Sequence, residues 1–326
     1  MHFQCSQSLQ LSLRKRMPFS RRSIVYFLLA SIAPLFFVTG PAFEAPRSVL
    51  AVWDLGHVVF FALLAVALYD YWLPAYYPPT KKILCIVLFS AVLGLVIELL
   101  QLGVASRTVG WADLLRDLAG SAIVSFWNMA GQLPRGCWQS YLARLLAVTL
   151  GVAVLLPLYS ALYDERRARR EFPVLSAFER ETELGRWRGS AGLRLVKRPV
   201  RQGEYAAEVL LQDEADSGVY LFYCPGDWRG KRALAFSVNN PGSALLVNVR
   251  VLDHLSPDGK QKIHGQYNTT VLLVTGWNDI AIPLQLIAAG NGSLPVALER
   301  VWAFGVFVGE PQGERSLFVD DVRLVE

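Results

Sequence analysis

Between residues 24 and 163 the chain is built from apolar runs of about membrane length, yet these runs carry ionisable side chains that hydrocarbon excludes. No other feature restricts the fold as strongly. A helix rising 1.5 Å per residue needs about 20 apolar residues to cross a bilayer core. The runs fall at 24–38 (interrupted by Pro34), 50–73, 83–104, 111–133 and 142–163. Asp54, His57, Glu98, Gln101, Arg107, Asp113 and Asp117 lie in or beside them. A charged group at the centre of such a helix costs roughly 3 kcal/mol on insertion scales, so its presence needs a structural or chemical reason.

The expected architecture is an α-helical transmembrane bundle of about five helices followed by an all-β jelly-roll sandwich. Residues 1–23 form a basic N-terminus, 24–163 the bundle, 164–171 a charged linker and 172–326 the sandwich. Residues 24–38 read as a retained first helix, because the Gly40-Pro41-Ala42-Phe43 stretch is a poor cleavage site. Arg14, Lys15, Arg16, Arg21, Arg22, Lys81, Lys82, Arg135 and Arg144 all fall on one side, which the positive-inside rule makes cytoplasmic. Arg166, Arg167, Arg169 and Arg170 fall on the other side and oppose this assignment, which rests on the early spans. The expectation is a multi-pass protein of the inner cell membrane with an extracytoplasmic C-terminal domain.

With this topology the seven polar residues converge on the outer face. Asp54 and His57 begin the second helix, Glu98 and Gln101 end the third, Arg107 lies in a loop, and Asp113 and Asp117 begin the fourth. Spacings of three or four residues put each pair on one helical side. His57 with Asp54 suits general-base chemistry, with Glu98 as a further candidate catalytic carboxylate. The planar fork of Arg107 suits phosphate or carboxylate, and Gln101, Asp113 and Asp117 complete a candidate binding set. The bland reading makes Asp54 and Asp113 helix caps, Gln101 an interhelical tie and Arg107 a headgroup contact. Neither a metal nor a cofactor is expected, since the set has one histidine and no HExxH motif.

The ordered series Asp54-x-x-His57, Glu98-x-x-Gln101, Arg107, Asp113-x-x-x-Asp117-x-x-Gly120 resembles the VanZ-like membrane proteins, named for a member associated with resistance to the glycopeptide teicoplanin. It spans about residues 50–127. Leu55 stands where that family usually carries a basic residue, and Asp117 where it usually carries Asn. The resemblance implies an envelope-associated membrane protein and no defined reaction.

From about residue 172 the pattern changes to short alternating runs at 205–211, 218–223, 232–238, 244–252, 267–274, 278–282, 302–308 and 316–325, separated by turn residues. Many short strands without helices between them argue a two-sheet sandwich. The segments Asp227-Trp228-Arg229-Gly230, Ser237-Val238-Asn239-Asn240-Pro241, Gly276-Trp277-Asn278 and Leu317-Phe318-Val319-Asp320-Asp321-Val322 resemble, diffusely, a carbohydrate-binding-module jelly roll of the galactose-binding-like type. Sugar recognition needs flat aromatic faces, for which Trp187, Trp228, Tyr267 and Trp277 are the candidates, although most aromatics in a sandwich belong to its core.

The net charge of +5 is explained by membrane topology, and no nucleic-acid-binding signature accompanies it. Cys5, Cys85, Cys137 and Cys224 show no paired spacing that implies a disulfide framework or zinc site. Two functions follow from these residues. In the first, an outer-face pocket binds or processes an anionic lipid-linked glycan or other envelope intermediate, with the sandwich holding glycan; membrane lipid or lipid-linked glycan is the partner and polysaccharide a further one. In the second, the bundle is a non-enzymatic anchor that presents a carbohydrate- or protein-binding sandwich.

Overall fold

The computed structural model describes residues 20–38, 40–41, 45–102, 110–134, 136–253, 265–292, 294–309, 311, 313 and 315–326. These described residues divide into two compact units, one of those within Met1–Pro41 and Leu50–Pro157 and one of those within Ala42–Val49 and Leu158–Glu326.

The first unit is helical. Helix α1 (Arg21–Ile32) starts at Ser20, whose side chain accepts from the Ser23 amide, and tightens into a 3-10 turn over Ala33–Phe37. Pro34 causes the change, because it lacks the N–H that an α-helix needs and its ring crowds the preceding turn. Helix α2 (Arg47–Ala67) runs into a π-turn at Leu68–Trp72. It is followed by α3 (Pro79–Gln101), α4 (Trp111–Gln132) and α5 (Trp138–Glu171). Phe36, Phe60, Phe61, Leu64, Ile86 and Ile97 build its core.

Among the described residues, three helices are long and apolar enough to cross a membrane by length and composition: Arg47–Trp72, Pro79–Gln101 and Trp138–Glu171. The expected first span differs because Pro34 shortens its helix. Helix α4 has 22 residues, but Asp113, Arg116 and Asp117 occupy its first turns and it is not among the three. The most apolar window of α5 is only 11% buried within the chain, against 33% and 28% for the other two. Residues 164–171, expected as a linker, are the last turns of α5, where Arg167 pairs with Glu171 one turn on at 2.6 Å. Such i,i+4 pairs extend a helix beyond its apolar part.

The second unit is a sandwich of two antiparallel sheets. After β1 (Val174–Ser176) and the short helix α6 (Glu181–Leu184) come β2 (Trp187–Gly189), β3 (Gly192–Val196), β4 (Ala206–Leu211), β5 (Ser217–Phe222) and β6 (Ala233–Asn240). Then follow β7 (Leu245–Asp253), β8 (Gln266–Leu273), β9 (Gly276–Pro283), helix α7 (Leu284–Ala289), β10 (Val301–Val308) and β11 (Arg315–Val325). One sheet has the order β3-β4-β11-β6-β9, with β1 also paired to β11, and the other β2-β5-β10-β7-β8. The period of two is plain in β7, where Val247, Val249 and Val251 are fully buried and Asn248 and Arg250 face outward. Trp228, Phe178, Phe236 and Phe304 fill the space between the sheets. All eight expected strand runs appear, and β1, β2 and β3 add to them.

Candidate functional site

The polar cluster of the helical unit is assembled by two glycines. A Cβ at Gly120 would lie 2.3 Å from the Val58 carbonyl oxygen, so the backbones of α4 and α2 meet there. Asp117 lies one turn before Gly120 and His57 one residue before Val58. The close approach therefore brings these two side chains together, with His57 Nδ1 2.9 Å from Asp117 Oδ1. Both are buried, at 5% and 1% exposure. On the other side, a Cβ at Gly94 of α3 would lie 2.6 Å from Asp117 Oδ2, so glycine leaves the room that this carboxylate fills.

The pairing expected between His57 and Asp54 is therefore corrected. An ionised carboxylate only accepts, so Asp117 takes the hydrogen bond from His57 Nδ1–H, and in the neutral tautomer this leaves Nε2 as the acceptor. Asp54 instead pairs at 2.8 Å with Arg116, which Asp113 holds from the adjacent turn. Their i,i+3 spacing puts Asp54 and His57 on one side of α2, but the helix packed against that side decides the partner.

Glu98 Oε2 accepts from the Gly110 amide at 3.1 Å, which ties the end of α3 to the start of α4. Gln101 Nε2 donates to the Phe36 carbonyl at 2.7 Å and fixes the 3-10 turn. Phe36 in turn meets the His57 ring edge-on, 4.7 Å between centroids. Two buried carboxylate oxygens, Asp117 Oδ2 and Glu98 Oε1, have no hydrogen-bond partner. The structure thus places six of the seven expected residues in the helical unit, while Arg107 lies outside the described residues. Among the described residues no three or more His, Cys, Asp or Glu side chains are grouped to hold a metal ion. Sequence reasoning missed Gly94, Phe36 and the pairing role of Arg116. Gly94 lies on one stripe of α3 with Glu98 and Gln101, at i, i+4 and i+7, and that spacing was its signal.

In the sandwich, Trp187 and Trp228 are core residues, at 4% and 0% exposure, and Tyr267 at 9% joins them. Trp187 donates to Ser176 Oγ at 3.1 Å and packs on Phe178 and Phe304. Their rings lie between the sheets and present no open face to a sugar, which corrects their expected role. Trp277 alone of the four keeps intermediate exposure. It sits just after Gly276, whose φ of +91° turns the chain where it crosses from β8 of one sheet to β9 of the other, and beside Asn278, whose side chain bonds the Val274 amide and carbonyl.

The outer face of the β3-β4-β11-β6-β9 sheet carries the cross-strand row Trp277, Asn239, Phe318, Glu208 and Arg194. A cleft opens next to it, lined by Arg201, Gln202, Ser237, Asp279, Asp321 and Arg323. Asp279 accepts from Arg201 Nε at 2.9 Å and from Ser237 Oγ at 2.8 Å, and the Arg201 bond holds its carboxyl below the usual range. Burial pushes the neighbouring Asp321 up, against the pull of Arg323.

The opposite outer face has more aromatic rings, but they are spent on one another. Tyr220 lies 4.2 Å from Phe307, Phe222 packs on Trp302, and Arg250 covers Phe307 at 5.1 Å.

No protein-family model matches the chain, and no curated protein matches it. The resemblance to VanZ-like proteins stays with the residue series that carries it. Among solved structures the chain is similar to a family 11 carbohydrate-binding module from Clostridium thermocellum in complex with a β-1,3-1,4-mixed-linked tetrasaccharide. Identity is 17% and the TM-score 0.37, over 47% of this chain and 94% of that one. An exo-β-agarase is similar at 11% identity and a TM-score of 0.38, over 46% of this chain and 24% of that one. A further structure, titled for carbohydrate-binding modules of the β-sandwich superfamily, has 17% identity and a TM-score of 0.35, over 47% and 62%.

Proposed function

We propose that this is a multi-pass protein of the cell envelope, VanZ-like in its helical unit. Its buried polar cluster binds or processes an anionic lipid-linked glycan, and its sandwich is extracytoplasmic and binds glycan. One observation carries the reading: His57 and Glu98, on two helices apolar enough to cross a membrane, and Asp117, on the neighbouring α4, are buried ionisable groups, and two of their oxygens are unpartnered. Ionisable groups at such depth mark sites where a substrate or ion is handled. His57 Nε2, oriented through Asp117, is the general base of this reading. Arg107 suits the phosphate by its chemistry.

For the sandwich, Trp277 and Phe318 beside the Arg201–Asp279 cleft supply the combination that sugar binding needs, a flat ring next to fixed donors and acceptors. Polysaccharide is the further partner. The VanZ resemblance supplies the test. Expression of the wild-type chain is expected to raise the teicoplanin tolerance of cells, and His57→Ala or Asp117→Asn to abolish that rise with the protein inserted at normal abundance. Full tolerance in both variants sinks the reading.

A second reading is favoured by the ties Arg116 to Asp54 and Gln101 to Phe36, which staple the bundle. In it the polar set is structural and the chain anchors a glycan- or protein-binding sandwich. The same substitutions then lower abundance, and the sandwich works on an unrelated anchor.

A further inference from the structure

Next to His57 the helical unit carries a cleft with apolar walls and one polar lining residue. Ile32, Leu35 and Phe36 line one side, Trp53 and Gly56 the other, and His57 lies at its end. Gly56 opens it, since a Cβ there would meet no heavy atom within 4 Å. The first wall is held in place by the bond from Gln101 to the Phe36 carbonyl. Leu35, at its mouth, is 47% exposed. An apolar slot that ends on an imidazole fits an amphiphile, with hydrocarbon along the walls and a polar head at the ring.

We propose that this cleft seats the hydrocarbon chain of a lipid whose head-group hydroxyl is held by His57 Nε2. The proposal rests on the lipid-linked-glycan reading above and adds where the chain lies and which head is selected. The cluster's chemistry selects the head. His57 is the polar residue that lines the cleft, its Nδ1 is occupied by Asp117, and Arg116 is shared by Asp54 and Asp113. The cleft thus offers His57 Nε2 as an acceptor, which a hydroxyl-bearing sugar satisfies and a head without donors does not. A protein helix fits less well, because the six described residues that line the cleft make too short a groove for a cylinder about 10 Å across.

The test uses the full chain in nanodiscs with two photoactivatable lipids of identical diazirine-bearing chains, one a monoglucosyl diacylglycerol and one a phosphatidylcholine, whose head has no donor. Cross-linked peptides are mapped by mass spectrometry. The glucosyl probe is expected to label residues 32–36 and 53–57 in preference to the phosphatidylcholine probe. Gly56→Leu is expected to cut that labelling roughly tenfold, which corresponds to about 1.4 kcal/mol of binding, with the thermal midpoint unchanged or raised. Leu35→Trp fills the slot from the opposite wall and is expected to act alike, so a folding defect in one variant leaves the other to decide. Equal labelling by both probes, labelling spread evenly over the helices, or no effect of either variant overturns the proposal. Failure of the parent reading is scored separately, as teicoplanin tolerance that survives His57→Ala.

Discussion

A histidine held by a buried aspartate is sensitive to the partner's charge as well as its shape. Asp117→Asn keeps the volume, but its amide can also donate to Nδ1, so the imidazole tautomer is no longer fixed. The expected outcome is a loss of function as deep as that of His57→Ala, with the protein still folded, checked by tolerance and by thermal melting of the purified chain. In the sandwich, the hydrogen bond from Arg194 at 2.6 Å holds the Glu208 carboxyl below its ordinary value of 4.5. A carboxyl lowered on folding stabilises the fold above its unfolded value, and this contribution is lost as pH falls through the lower folded value. Glu208→Gln is therefore expected to lower the melting temperature at pH 7, and the gap from wild type should narrow as pH falls below 4.5 and through the lower folded value. A gap that does not depend on pH refutes this.

Between elements, the glycine contacts set the geometry. Gly120→Ala puts a methyl against the Val58 carbonyl and forces α2 and α4 apart. Overpacking of this kind costs about 1–3 kcal/mol, and the same separation pulls Asp117 away from His57. Stability and tolerance are expected to fall together, whereas Gly56→Leu, which meets open space, spares stability. In the sandwich, Trp277→Ala is expected to weaken retention in polysaccharide affinity gels and leave the melting temperature within a few degrees, because the ring lies outside the core. Tyr220→Ala removes a ring that packs on Phe307 and Phe222, so it is expected to lower stability. The β-strands were legible as runs of alternating residues. The burial of Trp187 was not, because alternation marks two faces and does not say which of them the second sheet covers, and Trp228 lies between β5 and β6, outside any alternating run.

For the molecule as a whole, the division into a helical unit and an antiparallel sandwich followed from the change of period near residue 172, and the structure has both parts. Periodicity did not reveal the short strands β2 and β3, which are too brief to alternate visibly, nor the continuation of α5 through residues 164–171, where charge looked like a linker. In the candidate site, Asp54, His57, Glu98, Gln101, Asp113 and Asp117 were legible as a set because polar groups stand out in apolar runs. Their partners were not, since contacts between helices depend on the glycines at 94 and 120. Topology decides how far the glycan reading extends. A reporter fused after Glu171 is expected to report the extracytoplasmic side, and a cytoplasmic signal would remove the sandwich from envelope glycan.

The sparse burial of α5 has a practical consequence. Its most apolar window is 11% covered by the chain itself. In water, an uncovered hydrocarbon surface of that length associates with its like. Detergent concentration, rather than temperature or salt, will therefore decide whether the purified protein stays dispersed or precipitates.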